Sequence, residues 1–213
     1  ILLILTALSA AFSRSRIFFS SILLWLLAGL KYAELSGEIE SLTLFVLFPV
    51  NMTLILSYKE RGIFTVAGFI RSAFLLMQIA LIYFVSVDPE LTGKLSELFL
   101  YQPLSGEIAI LLAYSPLNQP ITLILTVSGF LLVGLMYWQN SPTARGIVWA
   151  TTAVLVSSDM QLVYAQHAYS MAASILLCVA ILRDSYTMAY LDELTSLPQR
   201  RALNEQLISL GNH

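Results

Sequence analysis

Polar side chains that could bind a ligand are few in this chain, and most of them lie within or beside long apolar runs. Ionisable groups at such positions are costly to place in lipid, so each one is a candidate for a functional site. Five polar residues could line an outward-facing pocket for a small polar or lipid-like ligand: Asp159, Gln161, Tyr164, His167 and Glu107. The alternative is that Asp159 and His167 are hydrated near the ends of their runs and bind nothing.

Three further polar residues fall inside the runs. Asn51 follows Pro49, which removes a backbone donor and can kink a helix, and Gln78 lies deep in the next run. Their amides either serve a site or bond neighbouring helices, a packing use worth about 1 kcal/mol or less. Arg71 is expected to snorkel, or to mark an interfacial start of its helix, rather than to act as a buried gating charge.

No arrangement of residues resembles an active site. The sequence contains no HExxH, CxxC, glycine-rich phosphate loop or G-x-S-x-G pattern. The single cysteine, Cys178, lies in an apolar run and cannot form an intrachain disulfide. We therefore expect this segment to hold no catalytic residue, no metal and no cofactor of its own.

The composition explains why polar candidates are scarce. Of 213 residues, 58% are hydrophobic and 11% are charged, and the mean hydropathy is +0.80. Soluble domains carry about 25% charged residues, so lipid must be the main solvent of this chain. The net charge of −2 gives no indication of a nucleic-acid partner.

The apolar runs predict an all-α, polytopic membrane helix bundle. A spanning helix needs about 20 mainly apolar residues, and helices satisfy their own backbone in lipid. Seven spans are predicted, the first being the end of a truncated helix: 1–12, 17–35, 39–58, 62–87, 121–138, 146–164 and 168–182.

Basic residues alternate between the two sides of this bundle. They follow the first, third, fifth and seventh spans, whereas the opposite loops hold only Lys31 and Lys94. Because basic loops stay in the cytoplasm, the C-terminus is predicted to be cytoplasmic. The residues on the predicted inner side are Arg14, Arg16, Lys59, Arg61, Arg145, Arg183, Arg200 and Arg201.

One long connection, residues 88–120, joins the fourth and fifth spans. Long connections in helix bundles are uncommon and are usually functional or disordered. Leu91, Leu95 and Leu98 have a helical spacing, and Pro89 suits the first turn of a helix that begins near Asp88. We interpret this loop as an outer cap, with a simple surface connector as the alternative.

The tail follows the last span without a helix breaker. No Gly or Pro occurs from Ala172 to Tyr190, so one helix is expected to leave the bilayer and continue into the cytoplasm as a signalling helix. Small residues on this helix could support a dimer seam or packing within the chain: Ala168, Ser170, Ala172, Ala173 and Ser174.

Residues 192–201 read DELTSLPQRR. This stretch resembles the opening of GGDEF domains, the diguanylate cyclase family, which typically begin D-x-L-T-G-L-x-N-R-R. Ser196 replaces the usual Gly and Gln199 the usual Asn. The matching residues are Asp192, Leu194, Thr195, Leu197, Arg200 and Arg201.

The resemblance implies a parent enzyme of the bacterial inner membrane that joins two GTP molecules into cyclic di-GMP, with two domains facing each other. GTP and Mg²⁺ are then expected only in the part of that domain beyond His213. Residues 1–182 would form the sensory bundle, 183–191 a helical linker and 192–213 the start of the GGDEF domain, in a homodimer. The alternative is a ligand-free membrane anchor and dimerisation scaffold that recruits partner membrane proteins. A small transporter or channel is the third hypothesis.

Overall fold

The computed structural model describes residues 1–32, 37–100, 117–158 and 163–190, and within them the chain is helical with no β-strand. A five-residue π-helix, Thr43–Leu47, directly precedes the fourth α-helix. The α-helices are α1 (Leu2–Ala11), α2 (Ser15–Tyr32), α3 (Gly37–Leu42), α4 (Phe48–Ser57), α5 (Val66–Val87), α6 (Pro89–Leu100), α7 (Gln119–Gln139), α8 (Pro142–Ser158) and α9 (Val163–Tyr190).

Among the described residues, four helical stretches are long and apolar enough to cross a membrane, and they coincide with the predicted third, fourth, fifth and seventh spans. The chain is therefore a multi-pass helical membrane protein. α1 and most of α2 are apolar but shorter, and α8 has 17 residues. The count of seven spans stays a prediction. The four stretches are Ile39–Ser57, Val66–Val87, Gln119–Gln139 and His167–Tyr190.

The core lies between α1, α2, α4, α8 and α9, where large apolar side chains are almost fully buried. α8 and α9 form the most extensive helix pair and approach each other closely at Gly146, where a Cβ would lie 2.5 Å from the Cβ of Ala180. Ala173 and Ser174 are also buried on this side of α9. These two small residues therefore serve packing within the chain, one of the two uses that the sequence left open.

The third predicted span contains a π-helical turn just before its proline. The Phe48 amide donates to the Thr43 carbonyl, a bond across five residues instead of four. Pro49 occupies the first turn of α4, so its missing N–H falls directly after this wider turn. Thr53 donates from its hydroxyl to the Pro49 carbonyl at 2.8 Å. The irregularity predicted at Pro49 thus takes the form of a π-turn, a feature frequent near functional sites.

α5 exposes most of its apolar side chains, and α7 exposes several large ones. On α5 these include Phe74, Leu81 and Phe84, and on α7 Phe130 and Trp138. An apolar face of this extent has no stable place in water, but it is ordinary against lipid tails. The outer faces of α5 and α7 therefore mark the surface that the bilayer covers.

α6 begins as the sequence predicted. Pro89 is its first residue, and the Asp88 carboxylate accepts a hydrogen bond from the Glu90 amide at 2.9 Å. A carboxylate at this position satisfies one of the unpaired donors of a helix N-terminus. The predicted outer cap continues through residues 101–116, which lie outside the described residues.

Candidate functional site

Four of the five predicted ligand-binding side chains fall outside the described part of the chain. Glu107, Asp159 and Gln161 lie in undescribed segments. Tyr164 belongs to the first turn of α9, but its side chain is also outside the description. His167 is exposed on the same helix. The outward pocket stays a prediction.

The charged side chains that join different helices meet at one end of the bundle, which we call the basic end. It consists of the α1–α2 turn, the loop between α4 and α5, the end of α7, the start of α8, and α9 near Asp184. These segments lie far apart in the sequence. Their proximity agrees with the alternation of basic loops, because the connections that follow the first, third and fifth predicted spans should lie on one side of the membrane.

Arg16 connects three of these segments. Its Nε donates to the Tyr58 carbonyl at 2.8 Å, and Nη2 donates to the same oxygen. Nη1 donates to Oε1 of Gln139 at 2.6 Å, while Nε2 of Gln139 donates to the Leu56 carbonyl at 2.7 Å. One guanidinium thus joins the start of α2 to the ends of α4 and α7, using the planar fork of donors that a lysine lacks.

Glu60 covers the N-terminus of α2. Its Oε1 accepts from the Ser15 hydroxyl at 2.7 Å and from the Arg16 amide at 3.2 Å, and Oε2 lies 3.7 Å from Nε of Arg16. A carboxylate is stabilised there by the unpaired amides and the helix dipole. Burial lowers the pKa of Arg16 from its ordinary value, and the Glu60 charge opposes that shift. The guanidinium still remains charged at neutral pH.

Asp184 attaches α9 to the same end. Its Oδ2 lies 2.9 Å from Nη1 of Arg14 in the α1–α2 turn and accepts from the Thr143 hydroxyl of α8 at 3.1 Å. The two charged side chains are only 16% and 17% exposed. This ion pair is therefore largely shielded from water, and it fixes α9 two residues beyond Leu182, where the predicted seventh span ends.

Arg71 reaches back toward the basic end from inside α5. Its Nη1 donates to the Ser15 hydroxyl at 3.1 Å and Nη2 to the Lys59 carbonyl at 3.0 Å. The guanidinium also lies 5.0 Å from the centre of the Tyr58 ring, within cation–π range. This geometry agrees with snorkelling, because the charge lies with other polar groups rather than at mid-helix.

Asn51 and Gln78 bind each other. Nδ2 of Asn51 donates to Oε1 of Gln78 at 2.8 Å, and Nε2 of Gln78 returns a bond to Oδ1 of Asn51 at 3.3 Å. The pair joins α4 to α5 in an otherwise apolar region. The prediction that these amides bond neighbouring helices is confirmed.

Sequence reasoning used several of these residues only as loop charges. Arg14 and Arg16 were counted for orientation, and Glu60, Gln139 and Asp184 were not singled out at all. One signal in the sequence could have indicated this contact: Asp184 is an acidic residue at the end of the seventh span, where basic residues are expected. The basic end carries no metal centre: across the described segments, no three His, Cys, Asp or Glu side chains come together as ligands would. Its side chains join the helices through hydrogen bonds and ion pairs.

No protein-family model matches this chain, and no curated protein and no solved structure is significantly similar to it.

Proposed function

We propose that this chain is the membrane sensory region of a bacterial diguanylate cyclase, which controls cyclic di-GMP synthesis by setting how two cytoplasmic GGDEF domains meet. The observation that carries the proposal is the junction: α9 is continuous to Tyr190, and the GGDEF-like motif begins at Asp192. In this arrangement 1–182 form the sensory bundle, 183–191 the linker and 192–213 the start of the output domain. GTP and Mg²⁺ would bind beyond His213.

The proposed topology has seven spans, with α1, α2 and α8 completing the count. The basic end then faces the cytoplasm, in the inner membrane. Support comes from the basic residues of the α1–α2 turn and the α4–α5 loop, which share one end with Asp184. Because cytoplasmic loops are enriched in Lys and Arg, this end is the one expected inside.

α9 would act as the signalling rod. It has 28 residues and passes Arg183 without a break. At 1.5 Å per residue it is about 42 Å long, which exceeds the roughly 30 Å of a hydrocarbon core. Its inner part is gripped by Arg14 and Thr143 through Asp184. If the helices that carry Arg14 and Thr143 shift, α9 would therefore move with them instead of staying in place.

The proposed homodimer would use the outer side of α9. Five of its exposed apolar residues are spaced by four, four, three and four positions, which is close to the eleven-residue repeat of paired helices. This stripe lies opposite the buried side formed by Ala173, Leu177 and Ala180. The stripe consists of Met171, Ile175, Val179, Leu182 and Tyr186.

A chimaera tests the proposal. The whole chain is fused to a characterised GGDEF domain, and cyclic di-GMP is measured in cells at matched protein levels. Two residues inserted after Tyr190 turn the helix by about 200°, whereas seven turn it by about −20°. We expect the two-residue insertion to change output strongly and the seven-residue insertion to preserve it. Asp159→Asn and Gln161→Leu should shift output if the outward pocket binds a ligand that prefers one arrangement.

Different results would refute the sensory role and the cyclase assignment. Equal output from both insertions and from every pocket variant would refute a sensory role. A native sequence after His213 that lacks the GGDEF loop would refute the cyclase assignment while leaving a sensory bundle possible.

The exposed aromatic face of α5 favours a second candidate, the ligand-free anchor that recruits membrane partners. Phe69, Phe74 and Phe84 project from a helix that the rest of the chain covers only in part. This candidate predicts that α5 substitutions abolish co-purification of a membrane partner and leave the output of the chimaera unchanged. The sensory proposal predicts instead that the pocket variants Asp159→Asn and Gln161→Leu change the output of the chimaera and leave co-purification unchanged.

A further inference from the structure

A cleft of about 390 Å³ separates α4 from α5. Leu54 and Ile55 of α4 form one wall, Phe74 and Leu75 of α5 the other, and Phe19 of α2 contributes to the lining. The volume falls within the range of small-molecule sites. The walls are apolar over most of their length, and Phe74 is itself 41% exposed, so the cleft is continuous with the outer face of α5.

Where the cleft meets the basic end of the bundle, its lining is positively charged. Lys59, Arg61 and Arg71 all line it, and the first two are exposed. The nearest acid in the sequence, Glu60, directs its carboxylate to Ser15 and Arg16 instead. The guanidinium of Arg71 has five N–H donors, and its described bonds engage Nη1 and Nη2 once each.

The combination of an apolar slot and a cationic end defines the ligand. A free inorganic anion would leave the apolar walls without an apolar partner, and a neutral hydrocarbon would bring no negative charge to the three cations. An amphipathic anion satisfies both. Basic pockets between membrane helices bind acidic lipid headgroups for this reason.

We propose that the α4–α5 cleft binds an acidic phospholipid of the surrounding leaflet. Its phosphate is held by Lys59, Arg61 and Arg71, and an acyl chain lies between Leu54 and Phe74. The lipid would reinforce a junction that otherwise depends on the Asn51–Gln78 amide pair and on the contacts of Arg71. The inference holds whether or not the chain regulates a cyclase.

Photocrosslinking in vesicles tests it. The whole chain is reconstituted into phosphatidylcholine vesicles that contain a trace of phosphatidylglycerol with a photoreactive acyl chain, or the same trace of photoreactive phosphatidylcholine. We expect the acidic probe to label residues 54–61 and 67–75, and the neutral probe to label neither segment preferentially. Excess unlabelled phosphatidylglycerol should displace the probe, and inorganic phosphate should not.

Charge variants locate the headgroup. One basic residue is worth about fivefold in affinity for acidic lipid, so Lys59→Gln with Arg61→Gln should weaken binding about 25-fold. The matched control is Arg145→Gln with Arg183→Gln, which removes two exposed cations outside the cleft lining. Ala67→Phe should reduce labelling while keeping every cation, because Ala67 lines the cleft.

Four results would overturn the proposal. They are equal labelling by the neutral probe, labelling spread over α7, an equal loss in the control pair, and displacement by inorganic phosphate. The third would indicate diffuse attraction to the basic end, and the fourth a site for free phosphate.

Discussion

A methyl group added at Gly146 would collide with α9. The new Cβ would lie 2.5 Å from the Cβ of Ala180 and 3.5 Å from the Leu176 carbonyl oxygen. Non-bonded carbons prefer about 3.5–4.0 Å, so α8 and α9 would have to separate by about 1 Å. Both helices contribute heavily to the core, and the separation would loosen contacts along the whole pair.

Two control glycines separate the free-energy cost of this collision from the effect of Gly→Ala on helix propensity. Overpacking a close contact costs about 1–3 kcal/mol, while Ala in place of Gly favours a helix by about 1 kcal/mol. Gly129 and Gly134 of α7 have nothing within 4 Å of an added Cβ, so they should show the propensity gain alone. Gly146→Ala is therefore expected to be about 1–3 kcal/mol less stable than Gly129→Ala or Gly134→Ala.

Reversible unfolding of the purified chain in mixed micelles, followed by far-ultraviolet circular dichroism, measures this difference. Combining Gly146→Ala with Ala180→Gly removes the colliding methyl. The double variant should be more stable than the sum of the two single effects. The reasoning fails if Gly146→Ala matches the α7 controls, or if Ala180→Gly brings no recovery.

Two further predictions concern α9. Arg14→Ala and Asp184→Ala should each destabilise the chain, and a double-mutant cycle should give a coupling of about 1–3 kcal/mol, because the pair is largely shielded from water; a coupling near zero would show that the ion pair does not hold the helix. In a Cys178→Ser background, Ile175→Cys on the exposed stripe should crosslink two copies in membranes, whereas the buried Leu177→Cys should not; equal crosslinking by both positions would contradict pairing through this face.

Much of the helical structure could be predicted from local sequence. Residues 62–87 were expected to form a helix, and α5 covers 66–87. The start of α6 at Pro89 was also predicted, because proline suits a first helical turn and Asp88 caps it. In these segments the apolar run and its flanking residues are enough to predict where the helix lies.

The partners of the polar side chains could not be predicted in the same way. Arg14 and Arg16 occupy similar places in the sequence, yet one pairs with Asp184 and the other bonds Tyr58 and Gln139. Loop parity places basic residues on one side of a membrane, but it carries no information about distances within that side. The cleft between α4 and α5 was missed for the same reason, since its lining comes from three helices.

Composition predicted that this chain lies in a membrane, and its long, uniformly apolar runs predicted helices, because a backbone without water has to satisfy its own hydrogen bonds. Its loop charges and its tail supplied a hypothesis about orientation and output. Only the packed helices decided that Gly146 meets Ala180, that Asp184 secures α9, and that three cations flank an apolar cleft. Those contacts join residues that are distant along the chain, and they depend on helix rotation and separation, which hydropathy does not encode.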